Sequence, residues 1–588
     1  MSTSFQVTGS NANAPFTLKI HRGDGMVLLA MNWRTGKPPR DFVGFAIEYR
    51  EPGSDRYWPV KNRIGFPGDR VKFSDPSIPS TKAPFQKFRW VHFPRHSEKP
   101  GDFRYRVTPI FMNEEGVLGK GEAQIADVRL RRETIPGLLN VAFTRGYISS
   151  QSFADKFAND GKLSTLLPDK AKDGLTFKAT HKKAAAAHEW MGFEARQVIH
   201  EVLDEAIVAG AQVRIIAYDF NLPELLDKLV KLGSRLKIII DDSKADDGGH
   251  EAKDSPESLV AKKLVASAGA GNVKRQHMAN IQHHKSIAVS GGGVHKVIYG
   301  STNFTWRGFY VQSNNAAVVT GARAADHYFK TFDAYFTAKD AGDFRAGAAA
   351  KNWQDLELLG LNAKVGFSPH GKDDGLLSAV GKDIDQAKTS VFFSLAFLGQ
   401  MKKGPIGPAL GRAIRSKTVH TLGIADAQVK AGNLGVTVLS PDNKRRVVRA
   451  SALTGNVPPP FRTEPTGLSG PQGQHRGTRM HHKFVVIDFD TPAARVYFGS
   501  YNFSEDADLN NGENLVCVKD RTVATSYMIE ALRLYDHYRF RSLQEDTKKT
   551  KGRKPITLKL PPKTAAEKPW WQRDWDDPIR RQDRELFA

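Results

Sequence analysis

Two stretches of this chain carry histidine, lysine and asparagine at closely matched spacings. His481-His482-Lys483 opens the run Phe484-Val485-Val486-Ile487-Asp488, and His283-His284-Lys285 opens Ser286-Ile287-Ala288-Val289-Ser290. Each is followed by the same kind of tail, Gly499-Ser500-Tyr501-Asn502-Phe503 in one and Gly300-Ser301-Thr302-Asn303-Phe304 in the other. Asn502 follows His481 by 21 positions, and Asn303 follows His283 by 20. A third element closes each set, Asn511-Gly512-Glu513-Asn514 against Gln312-Ser313-Asn314-Asn315. Side chains alternate faces along a strand, so His481 and Lys483 emerge together while His482 points away. The same alternation puts His283 beside Lys285.

An imidazole and an ammonium on one face suit an anion better than a metal. A lysine there repels a cation, and the spacing lacks the acidic ligands that zinc or magnesium would want. No metal and no cofactor are therefore expected. Phosphate fits: Lys285, Lys483, Asn303 and Asn502 would hold its oxygens and stabilise the charge that develops in the transition state. One neutral histidine attacks phosphorus while the other, protonated, donates to the departing oxygen. Water activated by the second histidine then releases the phosphohistidine. Two histidines must face one phosphorus, so two half-sites are expected to meet across a pseudo-twofold interface.

This pattern resembles the phospholipase D superfamily, marked by His-x-Lys-x4-Asp followed by Gly-Ser-x-Asn, usually twice. The resemblance spans roughly residues 190–545. His481, Lys483, Asp488, Ser500, Asn502 and Glu513 match it in full. The first set keeps His283, Lys285, Ser301 and Asn303, with Ser290 in place of the aspartate and Asn314 opposite Glu513. The resemblance implies that Glu513 orients one catalytic imidazole, while the neutral amides Gln312 and Asn314 orient the other. Family habit makes His283 the nucleophile and His481 the acid, although the glutamate asymmetry also allows the reverse. Asp488 is read as structural support, so its loss at Ser290 concerns bracing. Ser301, Ser500, Gln312, Asn314 and Trp306 are expected on the substrate side; Trp306, Phe309 and Tyr310 could stack exposed bases, with core or interface packing the commoner role for any one aromatic.

Superfamily members act on phospholipids, on nucleic acid or in phospholipid synthesis. The second cassette, with Gly-Ser-x-Asn-Phe-Ser and Asn-Gly-Glu-Asn, looks like the bacterial nuclease and mitochondrial-type endonuclease branch. It lacks the Ile-Asn-Arg-Ser kind of continuation common in lipid-cleaving members. A net charge of +23 suits a polyanion bound by counterion release. The reading is an endonuclease acting on DNA or RNA, with nucleic acid as partner and a monomer sufficient for the chemistry. Phospholipase D activity on lipid headgroups is the main alternative, and a catalytically weak nucleic-acid-binding protein is a third. No apolar run approaches the roughly 20 residues that span a bilayer, so no integral membrane association is expected. The lone Cys517 and an N-terminus without signal-peptide character point to the cytoplasm.

At 588 residues the chain is too long for one core, and a multidomain fold is expected. Residues 1–135 read as an all-β sandwich: Met26–Trp33, Gly44–Tyr49 and Phe103–Val107 are short strands divided by Gly, Pro and Asp turns. They resemble fibronectin type III or immunoglobulin-like modules. Residues 136–189 read as a connector. Residues 190–345 and 346–545 form a duplicated α/β fold with a pseudo-twofold catalytic core. In the first half, a helix over Glu194–Ala209 is followed by strands at Val213–Tyr218 and Leu236–Ile240, and by helices at Leu222–Leu232 and Ala324–Ala338. The second half repeats this with strands at Ser390–Leu395 and Val419–Ile424. Such alternation predicts a mostly parallel sheet. The Pro/Gly-rich stretch between Asn456 and Arg479, preceded by Lys444-Arg445-Arg446, reads as a long basic loop. The tail at 546–588, with Trp570, Trp571 and Trp575, reads as a basic arm lying on the surface.

Overall fold

The computed structural model describes residues 5–69, 77–130, 133–146, 150–244, 249–351, 353–373, 375–401, 404–425, 446–449, 480–549 and 556–588. The stretch 456–479 and Lys444-Arg445 lie outside the described residues. Met1–Thr134 with Thr525–Ala588 form one compact unit, and Ile135–Ala524 the other.

The first unit holds the β-sandwich. A four-stranded sheet runs Gln6–Thr8, Phe16–Arg22, Val27–Trp33 and Arg89–His92. The second sheet centres on Phe42–Arg50 and Asp102–Met112, which pair antiparallel. Period-two alternation decides the faces. Phe103, Tyr105 and Val107 are buried, while Arg104 and Arg106 point outward to Asp127 at 2.7 Å and Glu48 at 3.0 Å.

The tail departs from its expected place on the surface. Trp571 is 4% exposed within the sandwich core, with Trp570 and Trp575 packed beside it. Its indole N–H donates to the Pro39 carbonyl at 3.2 Å, and that of Trp570 to Phe42 at 2.9 Å. Large rings with one polar atom gain most where the ring is buried and the N–H finds an acceptor. The sandwich supplies both.

The second unit contains two sheets built to one plan. The first is ordered Leu139–Phe143, Asn315–Thr320, Val294–Gly300, Lys285–Gly291, Gln212–Ala217, Leu236–Ile240, Val273–Arg275. The second is ordered Gln354–Asp355, Asn362–Ser368, Glu513–Lys519, Arg495–Gly499, Lys483–Ile487, Ser390–Leu395, His420–Ala425, Val447–Arg449. The 136–189 stretch thus contributes an edge strand to the first sheet.

Neither sheet is mostly parallel. Among the described residues, only Gln212–Ala217, Leu236–Ile240 and Val273–Arg275 run parallel in the first, and only Ser390–Leu395, His420–Ala425 and Val447–Arg449 in the second. The remaining pairings are antiparallel, because the histidine-bearing strands turn back on themselves. The Gly291-Gly292-Gly293 stretch sends Lys285–Gly291 directly into Val294–Gly300. A two-residue turn can join only antiparallel neighbours.

Candidate active site

The two lysines begin equivalent central strands, Lys285–Gly291 and Lys483–Ile487, with each histidine two residues ahead. The runs behind them are buried and largely apolar, which anchors the polar residues at the strand ends. His284 and His482 are wholly buried on the opposite side, as alternation requires. Gly300 and Gly499 close in on the neighbouring strand. A Cβ at either would collide with the carbonyl of Asn315 or Asn514 respectively, so the Gly-Ser-x-Asn tail needs its glycine.

The halves are interlocked. His283 N–H donates to Gly512 O at 2.8 Å, and Gly512 N–H donates back to Ile281 O at 2.9 Å. Across the pseudo-twofold, His481 N–H donates to Ser313 O at 3.0 Å. Isolated bridges join Gln282 to Gly512 and Ser313 to Met480. Each histidine therefore docks on the segment that carries the other half's orienting residue.

That exchange sets the partners. His283 Nδ1 lies 2.9 Å from Glu513 Oε2, and the carboxylate is fully buried. His481 Nδ1 lies 2.9 Å from Asn314 Oδ1 and 3.1 Å from Ser301 O. Asn314 Nδ2 donates to Gly308 O at 2.9 Å, which leaves its oxygen to face the imidazole. Both ring neighbours of His481 Nδ1 are acceptors, so Nδ1 carries the proton and Nε2 a lone pair. Lys483 Nζ stands 2.9 Å from that Nε2. Lys285 Nζ donates to His283 O at 2.5 Å.

Charge and burial act together here. Burial, then the Lys285 and Lys483 ammoniums, hold the His283 imidazole well below its usual value. Burial and the same two lysines, with Arg307, do likewise for His481. Burial pushes Glu513 up to about 8 while Lys285 and Lys483 pull against it. Lys285 is drawn down to about 7 by burial, opposed by Glu513, Asp219 and Asp241. An incoming phosphate anion would offset this accumulation of positive charge, favouring the protonated form of Lys285 and letting His481 Nε2 take up a proton.

Most predicted residues converge, with two corrections. Trp306 is 7% exposed, its N–H donates to Gly174 O at 2.9 Å, and Phe309 and Tyr310 are fully buried. None offers a face to a base; they pack the core behind the tail. Ser301, Ser500, Gln312 and Asn314 stand behind the histidines rather than on the substrate side. Ser301 Oγ donates to Asn314 Oδ1 at 2.8 Å, Asn314 Nδ2 donates to Gln312 Oε1 at 3.4 Å, and Ser500 Oγ accepts from Asn514 N–H at 3.0 Å. Their hydrogen-bonding capacity is spent on bracing. Asp488 braces too, accepting from the backbone N–H of Lys388, Thr389 and Ser390 at 2.8–3.1 Å. Ser290 keeps one bond, to His295 Nδ1 at 3.1 Å.

Sequence reasoning missed Asp219, which accepts from Asn303 Nδ2 at 2.8 Å. Its signal was its place just beyond the carboxyl end of Gln212–Ala217, beside the histidine strand, where α/β sheets collect functional groups. The side-chain oxygens of Asn303 and Asn502 are alike in being buried without a hydrogen-bond partner among the described residues.

Residues 202–336 and 430–534 match the family profile described as "Cardiolipin synthase, PLD-like domain". The Ile135–Ala524 unit belongs to the phospholipase D superfamily, whose domain is present twice, and its class is that of phosphodiester-acting enzymes. Among solved structures, phosphatidylserine synthase from Haemophilus influenzae Rd KW20 is 11% identical, with TM-score 0.41, over 58% of this chain and 85% of that one. Nuc from Salmonella typhimurium, a phospholipase D family member, is 26% identical over 24% of this chain and 86% of its own, with TM-score 0.20. NucT from Helicobacter pylori is 18% identical over 30% and 97%, with TM-score 0.21. No curated protein matches the chain.

Proposed function

We propose that this protein is a metal-independent endonuclease that cleaves DNA or RNA through a covalent phosphohistidine, with one histidine from each half. The observation that carries the reading is the unequal backing of the two imidazoles, a buried carboxylate on His283 and an amide on His481. His283 Nε2 attacks phosphorus, and the P–O bond to the leaving nucleoside breaks as His481 Nε2–H donates to the departing oxygen. The phosphoryl adduct makes the His283 ring cationic while Nδ1–H remains on Glu513, so the carboxylate stabilises the adduct as an aspartate does in a serine triad. Asn314 gives no such stabilisation, so His481 releases its proton readily. His481 then takes a proton from water, hydroxide attacks phosphorus, and His283 leaves. Lys285, Lys483, Asn303 and Asn502 hold the non-bridging oxygens.

Nucleic acid is favoured by the net charge of +23, which would release counterions from a phosphate backbone. A cytoplasmic setting is part of the same proposal. Among the described residues, no helix is long and apolar enough to cross a membrane. The second reading, hydrolysis or exchange of a phospholipid headgroup, draws on the description of the matched family as a cardiolipin synthase domain.

Incubation of the full chain with plasmid, single-stranded DNA, RNA and phospholipid vesicles in EDTA tests both. Nicked or shortened nucleic acid, lost in His283→Ala, is expected. Lipid turnover with intact nucleic acid would replace the nuclease reading with the lipid one. Binding of nucleic acid without cleavage, unchanged in His283→Ala and His481→Ala, would leave a phosphate clamp.

A further inference from the structure

Gln212–Ala217 and Leu236–Ile240 are parallel neighbours in register, Ala217 opposite Ile240. The chain leaves them through Tyr218-Asp219 and Asp241, so two carboxylates emerge side by side next to the first half-site. His250 lies between them. Its Nε2 is 3.0 Å from Asp219 Oδ1, and its Nδ1 is 2.7 Å from Asp241 Oδ2. Each carboxylate has a second duty. Asp219 Oδ2 accepts from Asn303 Nδ2 at 2.8 Å, and Asp241 Oδ1 accepts from Gln282 N–H at 2.5 Å, the residue immediately before His283. The His250 ring, 7% exposed, lies against Tyr218 at 4.7 Å between centroids. Tyr218 in turn meets His283 edge-to-face at 4.8 Å and lies beneath the Lys285 ammonium.

We infer that His250 is a positioning residue for phosphoryl transfer: by bridging Asp219 and Asp241 it locks Asn303 and the backbone entering His283 into one register. This rests on the phosphodiesterase reading above. Against the cost of burial, the hydrogen bonds to Asp219 and Asp241 raise His250 to about 10, so both ring nitrogens carry protons and both bonds are charge-assisted. Among the described residues, the second half has no counterpart. Lys285 pairs with Ala217 and Lys483 with Leu395, so Phe397 occupies the place of Asp219. Its ring faces His481 at 6.0 Å.

A metal is the rival occupant, because Asp219, His250 and Glu257 lie within 4.8 Å of one another. Both imidazole nitrogens are already engaged, however, and Glu257 Oε1 accepts from Phe220 N–H at 2.9 Å. An ion would have to displace Asp219 from Nε2.

His250→Ala in the full chain is expected to lower kcat on an activated phosphodiester by about 100-fold, the scale of a misplacement near 1 Å. KM should stay near wild type, the thermal midpoint should fall because Asp219 and Asp241 lose their shared cation, and added imidazole should restore part of both kcat and midpoint. Unchanged kcat, or kcat and midpoint falling together without rescue, overturns the proposal. A second readout needs no turnover. With asparagine labelled, the Asn303 side-chain amide should be protected from exchange in the wild type and lose protection in His250→Ala and Asp219→Asn. Unchanged Asn303 protection overturns the bridge whether or not a diester is cleaved, while an inactive wild type with the expected Asn303 response fails only the function. A stoichiometric metal lost in His250→Ala would also overturn it.

Discussion

The two halves of the catalytic unit share strand order, histidine placement and the Gly-Ser-x-Asn tail, yet differ in what backs each functional group. His283 is held by a buried carboxylate from the other half, and His481 by an amide. Among the described residues the side-chain oxygens of Asn303 and Asn502 are both buried without a partner, and the difference lies in the amide nitrogen, which in Asn303 donates to Asp219. Bracing runs the other way. Asp488 gathers three backbone N–H groups in the second half, and Ser290 keeps one side-chain bond in the first. The first half thus concentrates charge on its reacting groups and the second on its scaffold. Duplication supplies symmetry of position, and divergence of a few acids supplies a division of labour.

The sharpest way to break this comparison is to delete each histidine. His283→Ala should lower kcat by about 10⁴-fold or more and abolish an acid-trapped phosphoryl adduct. His481→Ala should cost about 10²–10⁴-fold on a natural diester yet still accumulate adduct from a nitrophenyl ester, which needs no acid. An adduct that survives only in His283→Ala would exchange the roles. The backing groups come next. Glu513→Gln is expected to lower kcat by about 10²–10⁴-fold in single-turnover kinetics, and Asn314→Ala by about tenfold. Equal losses would mean that the carboxylate contributes orientation alone.

Lys285 provides a pH test. Its ammonium holds phosphate, and burial draws its pKa down to about 7. The charged form is lost as pH rises through that value, so kcat/KM should fall by about tenfold per pH unit above it. Glu513 titrates nearby, at about 8, so the profile is best compared with that of Lys285→Arg, whose guanidinium stays charged. An identical alkaline limb in that variant would remove Lys285 as its cause. The smallest effects are structural. Asp488→Ala leaves buried N–H groups unpaired and should cost about 2–4 kcal/mol in denaturant unfolding, while Ser290→Ala should cost under about 1 kcal/mol. Similar losses would refute the claim that bracing is unequal.

Much of this was legible because strand alternation is a local rule. The facing of Lys483 and the burial of His482 follow from the run Phe484–Ile487 alone, and the strands at Gln212–Ala217, Leu236–Ile240, Ser390–Leu395 and His420–Ala425 lie within a residue or so of where their apolar runs put them. Trp306 and Trp571 were misplaced for one reason: an aromatic side chain reads alike whether it lines a site or fills a core, and only its neighbours decide. The mixed sheet was missed because alternating helices and strands imply parallel crossovers, while the direct Gly291-Gly292-Gly293 return reverses direction within a few residues.

The sequence by itself determined the chemistry available: two His-x-Lys strands, two Gly-Ser-x-Asn tails, one glutamate, and a cationic surplus. Only the tertiary structure decided the pairing. Glu513 serves His283 and Asn314 serves His481, because each histidine's backbone hydrogen-bonds to the opposite half before its strand begins. The same is true of His250, which joins two carboxylates delivered by neighbouring parallel strands. Residues hundreds of positions apart are brought within hydrogen-bonding distance by sheet register, and register is a property of the folded chain.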